Sequence, residues 1–457
     1  MERVTLSLAG LTEMVDDGSV DTVLVAFPDN QGRLVGKRVM GRYFLDVVAE
    51  GSIEACNYLL AVDVDMTPLP GYRAFNWERG YGDFSAVPDL STLRLVPWLE
   101  RTALVLCDLV DEGDRSPVVV SPRRILAHQV ERAADAGFRV KIGAELEFFL
   151  FRDTYAEAAA KRYHGLVPHS DVVEDYHILQ TSRDEYVIRD IRNGLQAAGV
   201  PVEFSKGEAG RGQHEINLIY ADALEMADRN TIYKNAAKEI ADGHGRSVTF
   251  MAKYDPDEVG SSCHIHSSLW DPTGQTSLMW DDDGDHQMSE TFRYWLGGLV
   301  HCSRDLTLLF APTVNSYKRF QPDSWAPTAV AWGVDNRTCG LRVVGHGRGY
   351  RVESRIPGAD VNSYLAFAGV IAAGLWGIEH RLDPGEPCPG NAYVDGDVAH
   401  IPATLVEAMA LFEGSEVARA AFGDDVHHHL LNSATQEWRA FNRAVTDWEL
   451  RRNFEQL

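Results

Sequence analysis

Several things are missing from this chain, and each absence narrows what it can be. It has no Cys-x-x-Cys pair. Its six cysteines (Cys56, Cys107, Cys263, Cys302, Cys339 and Cys388) are scattered over 457 residues, which suggests neither a cysteine-built zinc framework nor a small secreted disulfide fold and leaves reduced thiols as the plain reading. It has no long apolar run. The longest, "LAFAGVIAAGLWGI" over 365–378, is too short to cross a bilayer and predicts a buried helix. Basic residues are few: 43 Lys and Arg stand against 67 Asp and Glu, a formal charge of -24. That argues against a nucleic-acid partner, which needs a basic surface, but not against an anionic substrate held by a few local arginines. The start, "MERVTLSLAGLTEMVDDGS", carries no cationic-then-apolar signal pattern. A cytoplasmic protein without a membrane segment is the expectation.

With 45% hydrophobic and 10% aromatic residues, the chain can bury one large core or two domains. Residues 20–40 alternate around a "PDNQGR" turn, the pattern of a β-hairpin, and "TALVLCDLV" (102–110) reads as a further strand. Ser121 and Pro122 open a predicted helix over 122–136 that Gly137 stops. Another helix is predicted over 222–245. A boundary near residue 114 divides the chain into 1–113 and 114–457, the second part being α+β.

The stretch "KIGAELEFFLF" (141–151) raises the chemical question. As a strand it places Glu145 and Glu147 side by side on one face, beside Phe149 and Phe151. Three other segments behave alike. In "KGEAGRGQHEINLIY" (206–220), Gln213, Glu215 and Asn217 share a face, and Glu208 precedes a glycine-rich turn. In "GSSCHIHSSL" (260–269), His264 and His266 share a face with Ser262 and Ser268; in "GYRVESRIPG" (349–358), Arg351, Glu353 and Arg355 do so. One such face is commonly just solvated. Four in one sheet would accumulate repelling carboxylates unless cations sat among them. Hard Mg²⁺ or Mn²⁺ answers this, because carboxylate oxygens suit both ions and imidazole can complete a Mn²⁺-tolerant shell. Glu145, Glu147, Glu208, Glu215, Glu353 and His264 are enough for two ions, a pair able to bridge phosphoryl oxygens. Arg351 and Arg355 are placed for phosphate, the alternative being a surface ion-pair ladder. No "GxxxxGK[ST]" loop and no strand-borne "GxGxxG" is present, and "GHGRGY" (345–350) reads as a loop between strands. A nucleotide would therefore bind through metals and arginines.

The ordered motifs "GAELEFF", "GEAGRGQHEI", "GSSCHIH", "NSYKRFQPDSWAP" and "YRVESRIPGADVNSYLAFAG" resemble the glutamine synthetase superfamily across essentially the whole chain. The resemblance implies an amino-terminal β-grasp domain (1–113) and a large catalytic domain (114–457) with an antiparallel sheet and flanking helices. It also implies a homo-oligomer, usually a dodecamer, with active sites between subunits. Residue by residue, it implies that Glu147, Glu208 and Glu215 hold one metal, and that Glu145, His264 and Glu353 hold the other, next to the phosphates of ATP. His266 matches a residue near ATP. Arg342 and Arg351 match arginines near the phosphates, and Gly260 matches a residue touching glutamate. Arg319 matches the partner of glutamate's α-carboxylate and Arg355 that of its γ-carboxyl. The chemistry implied is phosphorylation of the γ-carboxylate by ATP, then displacement of phosphate by a nitrogen nucleophile.

Three departures bear on that nucleophile. Where the family has "Tyr-Glu-Ala-Pro", whose glutamate takes a proton from ammonium, this chain has "DSWAP", with Trp325 in place of the glutamate. The "Phe-Asp-Gly-Ser" stretch is replaced by "LLAVDVDMTPLPGY" (59–72), and Val259 precedes Gly260 where asparagine is frequent. An alkylammonium with a pKa near ~10.4 costs roughly 4 kcal/mol to neutralise at pH 7, and indole cannot accept its proton. An indole face can attract the cation by about 0.5–2 kcal/mol. The sequence therefore predicts a glutamate–amine ligase acting on a primary amine such as a polyamine or ethanolamine. An ammonia-using glutamine synthetase is the alternative, and a non-catalytic homologue a third reading that the intact metal and arginine positions oppose. Asp63 or Asp65, on one face of a possible strand, or phosphate itself would take the proton. The "HHH" tract (427–429) is expected at the surface. Tyr393 lies near where some bacterial relatives carry an adenylylated tyrosine, but its surroundings do not match and no modification is expected.

Overall fold

The alternating patterns become two sheets in the computed structural model of the chain. The structure describes residues 6–394 and 398–457, so the opening five residues of the amino-terminal stretch lie outside it. The first sheet contains β1 (Thr22–Pro28), β2 (Leu34–Met40), β3 (Ile53–Cys56), β4 (Asp83–Leu95) and β5 (Thr102–Asp111), in the order β2-β1-β5-β4-β3. The expected hairpin is β1–β2. Its turn is fixed by Asp29, whose Oδ1 accepts from the backbone N–H groups of Gln31 and Arg33 at 3.0 and 2.8 Å, the Asx geometry that makes aspartate a turn residue.

The second sheet carries the candidate chemistry. Its strands are β6 (Arg139–Phe151), β7 (Val202–Gly207), β8 (Gln213–Leu218), β9 (Ala221–Asp222), β10 (Ser247–Thr249), β11 (Cys263–Trp270), β12 (Trp332–Val334), β13 (Leu341–Val344) and β14 (Arg351–Ser354). The main path runs β12-β13-β14-β11-β6-β8-β7, with β9 and β10 also pairing to β6. Every pairing in it is antiparallel except β12–β13. The "GHGRGY" stretch joins β13 to β14, as expected of a loop.

Helices Pro122–Asp135 and Ala223–Gly243 form where predicted, with Pro122 opening the first; Ser121 is its N-cap but makes no side-chain capping bond. The apolar run becomes the buried helix Ser363–His380, and among the described residues no helix is long and apolar enough to cross a membrane. This helix meets Glu290–Cys302 backbone to backbone. A Cβ at Gly298 would lie 2.0 Å from the Ala373 carbonyl oxygen, and one at Gly377 2.2 Å from that of Tyr294, so only glycine permits the contact.

A buried arginine ties the two sheets' elements together. Arg123, at the start of Pro122–Asp135, reaches Asp89 of β4 (2.6 Å) and Asp108 of β5 (2.5 Å). It also bonds Asp228 of Ala223–Gly243 at 3.1 Å, and the Tyr364 hydroxyl donates to that same Asp228 at 2.7 Å.

Two expectations need correction. The histidine tract is not a surface feature: His427 and His429 are buried in helix Glu416–Arg443. His427 stacks on Phe412 and bonds its carbonyl at 2.8 Å, while His429 packs on Tyr72 and reaches the Asn30 amide at 3.0 Å. A helix covered on two sides buries residues two positions apart. Asp63 and Asp65 are not on a strand either. Asp63 Oδ1 accepts from the N–H groups of Asp65 and Thr67 at 3.0 and 2.8 Å, closing a turn. Asp63 lines a cavity against helix Ala223–Gly243, so within one chain neither residue faces the acidic cavity described next.

Candidate active site

Strand register assembles the acidic groups. Antiparallel pairing sets Glu147 opposite Glu215 and Glu145 opposite Asn217, His264 opposite Glu145, and Glu353 opposite both His266 and Arg342. Cross-strand partners share a face, so five strands project their ionic groups to one side. A cavity of about 440 Å³ opens there, lined by Glu145, Glu147, Glu208, Glu215, His264, Arg319, Arg342 and Arg355.

The site has two halves. In the first, carboxylate oxygens of Glu147, Glu208 and Glu215 lie within 4.8 Å of one another. Burial, added to the charge of Glu208, pushes Glu147 up to about 7. Burial, with the charges of Glu145, Glu208 and Glu147, raises Glu215 well above the carboxylate range. Glu147 is held in place: Ser262 donates to it through its N–H (2.8 Å) and its hydroxyl (2.5 Å), and the Gln213 amide through Nε2 (3.2 Å). The Lys206 ammonium bonds Glu208. Burial opposes that charge, but Glu215 and Glu208 outweigh it and raise the lysine's pKa.

In the second half, donor atoms of Glu145, His266 and Glu353 lie within 4.8 Å. His264 Nδ1 is 3.3 Å from Glu145 and 3.5 Å from Glu353, so both imidazoles face this pair. His266 Nε2 is the nearer to Glu145, at 2.9 Å, and its Nδ1 accepts from Arg351 Nε at 3.1 Å. Glu353 is fully buried yet ionised. Burial works against its charge, but His264, His266 and Arg355 hold it down to about 2. Arg342 and Arg355 donate to its two oxygens at 2.8 and 2.5 Å. Glu145 is likewise held well below the usual range, hydrogen bonds from His264 and His266 outweighing burial. Burial, with the charge of Arg355, lowers His264, which keeps it neutral and able to ligate.

Both halves fit divalent cations on donor chemistry alone. The first offers only oxygens, which suit a hard ion and whose mutual repulsion such an ion would relieve; the second adds imidazole nitrogen. Two arginines complete the cavity. Arg319 is buried, and its guanidinium donates to the Ile356 and Arg355 carbonyls at 2.8 Å each. Burial brings it down to about 10 despite Glu147 nearby. It packs so closely on Gly260 that a Cβ there would come within 2.6 Å of Arg319 Cγ. Arg355 Nε has no hydrogen-bond partner although buried, an open donor for an anion.

A second cavity of about 250 Å³ adjoins the first and shares Glu145 with it; His266, Arg348, Arg351, Lys141, Tyr220 and Trp270 line it. Trp270 stacks on Tyr220, with Lys141 Nζ 3.9 Å above its ring.

Trp325 stands at the mouth of the first cavity, 60% exposed. Its φ of +64°, with +57° at Asp323, puts two side-chain-bearing residues of one loop in the left-handed region, a costly geometry that occurs at functional loops. Tyr393 anchors this loop, its hydroxyl donating to the Ala326 carbonyl at 2.9 Å. Sequence reasoning missed three more rim residues, Asp175, Tyr176 and Phe204. Tyr176 and Phe204 are 67% and 45% exposed, and Tyr176 lies in a segment with no strand or helix period to mark it. Lys206 was equally silent.

A cavity in which two carboxylate clusters meet buried arginines on the face of an antiparallel sheet offers donors of the kind that suit anionic substrates and divalent ions. The comparisons give such a site its family. The family model for the glutamine synthetase catalytic domain matches residues 119–453. The chain is 54% identical over 452 residues to Gamma-glutamylethanolamide synthetase GlnA4 of Streptomyces coelicolor, covering 99% of this chain and 96% of that protein. It is 37% identical to Glutamate--isopropylamine ligase of a Pseudomonas species, covering 96% of each. A solved GmaS/ADP complex superposes with a TM-score of 0.85 at 29% identity, over 97% of this chain and 99% of that one. The chain belongs to the glutamine synthetase family.

Proposed function

We propose that the protein is an ATP-dependent glutamate–amine ligase that joins the γ-carboxyl of glutamate to a primary alkylamine, with ethanolamine or a similar small amine as nucleophile. The observation that carries this reading is the cavity mouth. It presents Trp325, Tyr176 and Phe204 as exposed aromatics, where the family's ammonia enzymes use a carboxylate at the position of Trp325.

Each residue then has a task. Arg319 binds the α-carboxylate of glutamate, its guanidinium held rigid by two backbone carbonyls, while Gly260 leaves room beside it. Arg355, with its free Nε–H, receives the γ-carboxylate and steadies the charge that builds as the γ-phosphoryl of ATP moves onto it, releasing ADP. ATP enters through the second cavity, with Arg351, Arg342 and His266 toward its phosphates. Glu147, Glu208 and Glu215 would hold one Mg²⁺ or Mn²⁺, and Glu145, Glu353 and His264, with His266 beside them, another. When bound, such ions neutralise phosphoryl charge. The amine nitrogen then attacks the acyl carbon, the carbon–oxygen bond to phosphate breaks, and a proton leaves the nitrogen. Asp175, on the rim beside Tyr176, is placed to take that proton. The same reading carries a homo-oligomer, a dodecamer in this family, in the cytoplasm, and residues 1–113 as a unit distinct from 114–457.

Phosphate release from purified protein with ATP, Mg²⁺ and glutamate tests the reading, with ethanolamine, putrescine, spermidine and ammonia offered in turn. A primary amine is expected to support much faster turnover than ammonia. Efficient turnover with ammonia alone would sink the proposal.

A further inference from the structure

On the opposite side of β8 from Glu215 lies a second, buried ionic cluster that the ligase chemistry does not use. Alternation along the strand turns His214 away from the cavity. Its Nε2 lies 2.9 Å from Asp184 Oδ2 and 3.5 Å from Glu174 Oε2. Donor atoms of all three residues are within 4.8 Å of one another, and all three side chains are buried. Behind them, His169 Nδ1 stands 2.5 Å from the other oxygen of Asp184, its Nε2 directed at the Tyr186 hydroxyl at 3.2 Å.

The bonding here is incomplete. Neither oxygen of Glu174 has a hydrogen-bond partner, although the side chain is 0% exposed. Two carboxylates packed against each other out of water are costly unless something positive lies between them. The spacing suits a small ion. Bonds of roughly 2.0–2.2 Å in a tetrahedron put neighbouring donors about 3.3–3.6 Å apart; His214 already stands 3.5 Å from Glu174, and its 2.9 Å approach to Asp184 would widen slightly around an ion. Mixed nitrogen and oxygen donors favour Zn²⁺ over Mg²⁺, which keeps several waters and needs an octahedral shell that this dry pocket does not offer. Access exists too: a cavity of about 370 Å³ reaches Asp184 and His169 from the surface.

We propose that Glu174, Asp184 and His214 form a structural site for one Zn²⁺-class ion, with His169 orienting Asp184 from outside. Glu174 immediately precedes Asp175 and Tyr176 of the rim, and His214 immediately precedes Glu215. The ion therefore pins the rim segment to the strand that carries the first acidic cluster, and does so without touching substrate.

The test uses the full-length protein, freed of metal and exchanged into excess Mg²⁺ to fill hard-ion sites. It is then offered Zn²⁺ or Co²⁺, desalted, and counted by elemental mass spectrometry. About one transition ion per chain should remain, and the Co²⁺ form should show the visible absorption of a four-coordinate site. Glu174→Gln should lose the ion, and Asp184→Asn likewise. His169→Gln should weaken Zn²⁺ affinity by about 10–100-fold, the usual cost of an outer partner. Glu215→Gln, on the opposite side of the strand, should keep it. A wild-type protein that retains no transition ion overturns the proposal, as does equal retention by Glu174→Gln. Should a carboxylate variant fail to fold, weakened retention by His169→Gln against full retention by Glu215→Gln decides, and equal retention by the two overturns the proposal.

Discussion

Glu145 and Glu147 stand two residues apart on one strand and live in opposite electrostatic worlds. Glu145 joins Glu353 among two imidazoles and two arginines, and both carboxylates are held ionised. Glu147 joins Glu208 and Glu215, with Lys206 bonded to Glu208, and the pKa of Glu147 climbs to about 7. One half of the site is balanced by the chain itself; the other is balanced only in part and is left for a ligand to complete. Stability and function are therefore aligned in the Glu145 half and opposed in the Glu147 half.

That contrast can be broken or sharpened by experiment. Glu353→Ala should have the largest effect. It strands the buried Arg355 guanidinium and leaves Arg342 with Asp335 alone, costing about 3–5 kcal/mol in chemical denaturation and abolishing phosphate release. A loss below about 1 kcal/mol would show that this half does not depend on Glu353.

Glu215→Gln should act with the opposite sign on stability. Removing one of three crowded carboxylates should raise the denaturation midpoint of protein kept in EDTA, because burial and its neighbours' charges disfavour the ionised Glu215, while turnover is lost. Destabilisation in EDTA would erase the distinction between the halves.

The third prediction concerns pH. Glu147 is raised from 4.5 to about 7, so within that window the folded protein holds a proton that the unfolded chain has released. Metal-free stability should therefore fall as pH rises from 4.5 to 7. Scanning calorimetry in EDTA should show this decline, and saturating Mg²⁺ should flatten it. Trp325→Ala should have the smallest effect, raising the KM for an alkylamine by roughly 2- to 30-fold, the equivalent of one cation–π contact. Steady-state assays with ethanolamine and ammonia would measure it, and an equal change for ammonia would remove Trp325 from nucleophile choice.

Much of this was legible from period two. The alternation of Glu145 and Glu147, of Gln213, Glu215 and Asn217, and of His264 and His266 says which side chains share a face. The ordered motifs then say which strands are neighbours. What period two cannot supply is register, so the sequence does not reveal that His266 lies nearer Glu145 than His264 does. Alternation also misled at Asp63 and Asp65, where a short polar side chain took up backbone N–H groups and made a turn. The tract at 427–429 was judged on its polarity, whereas a helix packed on both sides consumes polar residues with local partners. Tyr176 had no pattern to announce it, because irregular segments carry none.

Arg123 has a consequence for how the molecule comes apart. One guanidinium serves carboxylates from the small sheet and from a catalytic-layer helix at once. Peeling the amino-terminal strands away would strip Asp89 and Asp108 from the buried Arg123 and leave it Asp228 alone. Partial opening at this seam therefore gains little entropy for a large electrostatic loss, and proteolysis there should wait for the whole chain to melt.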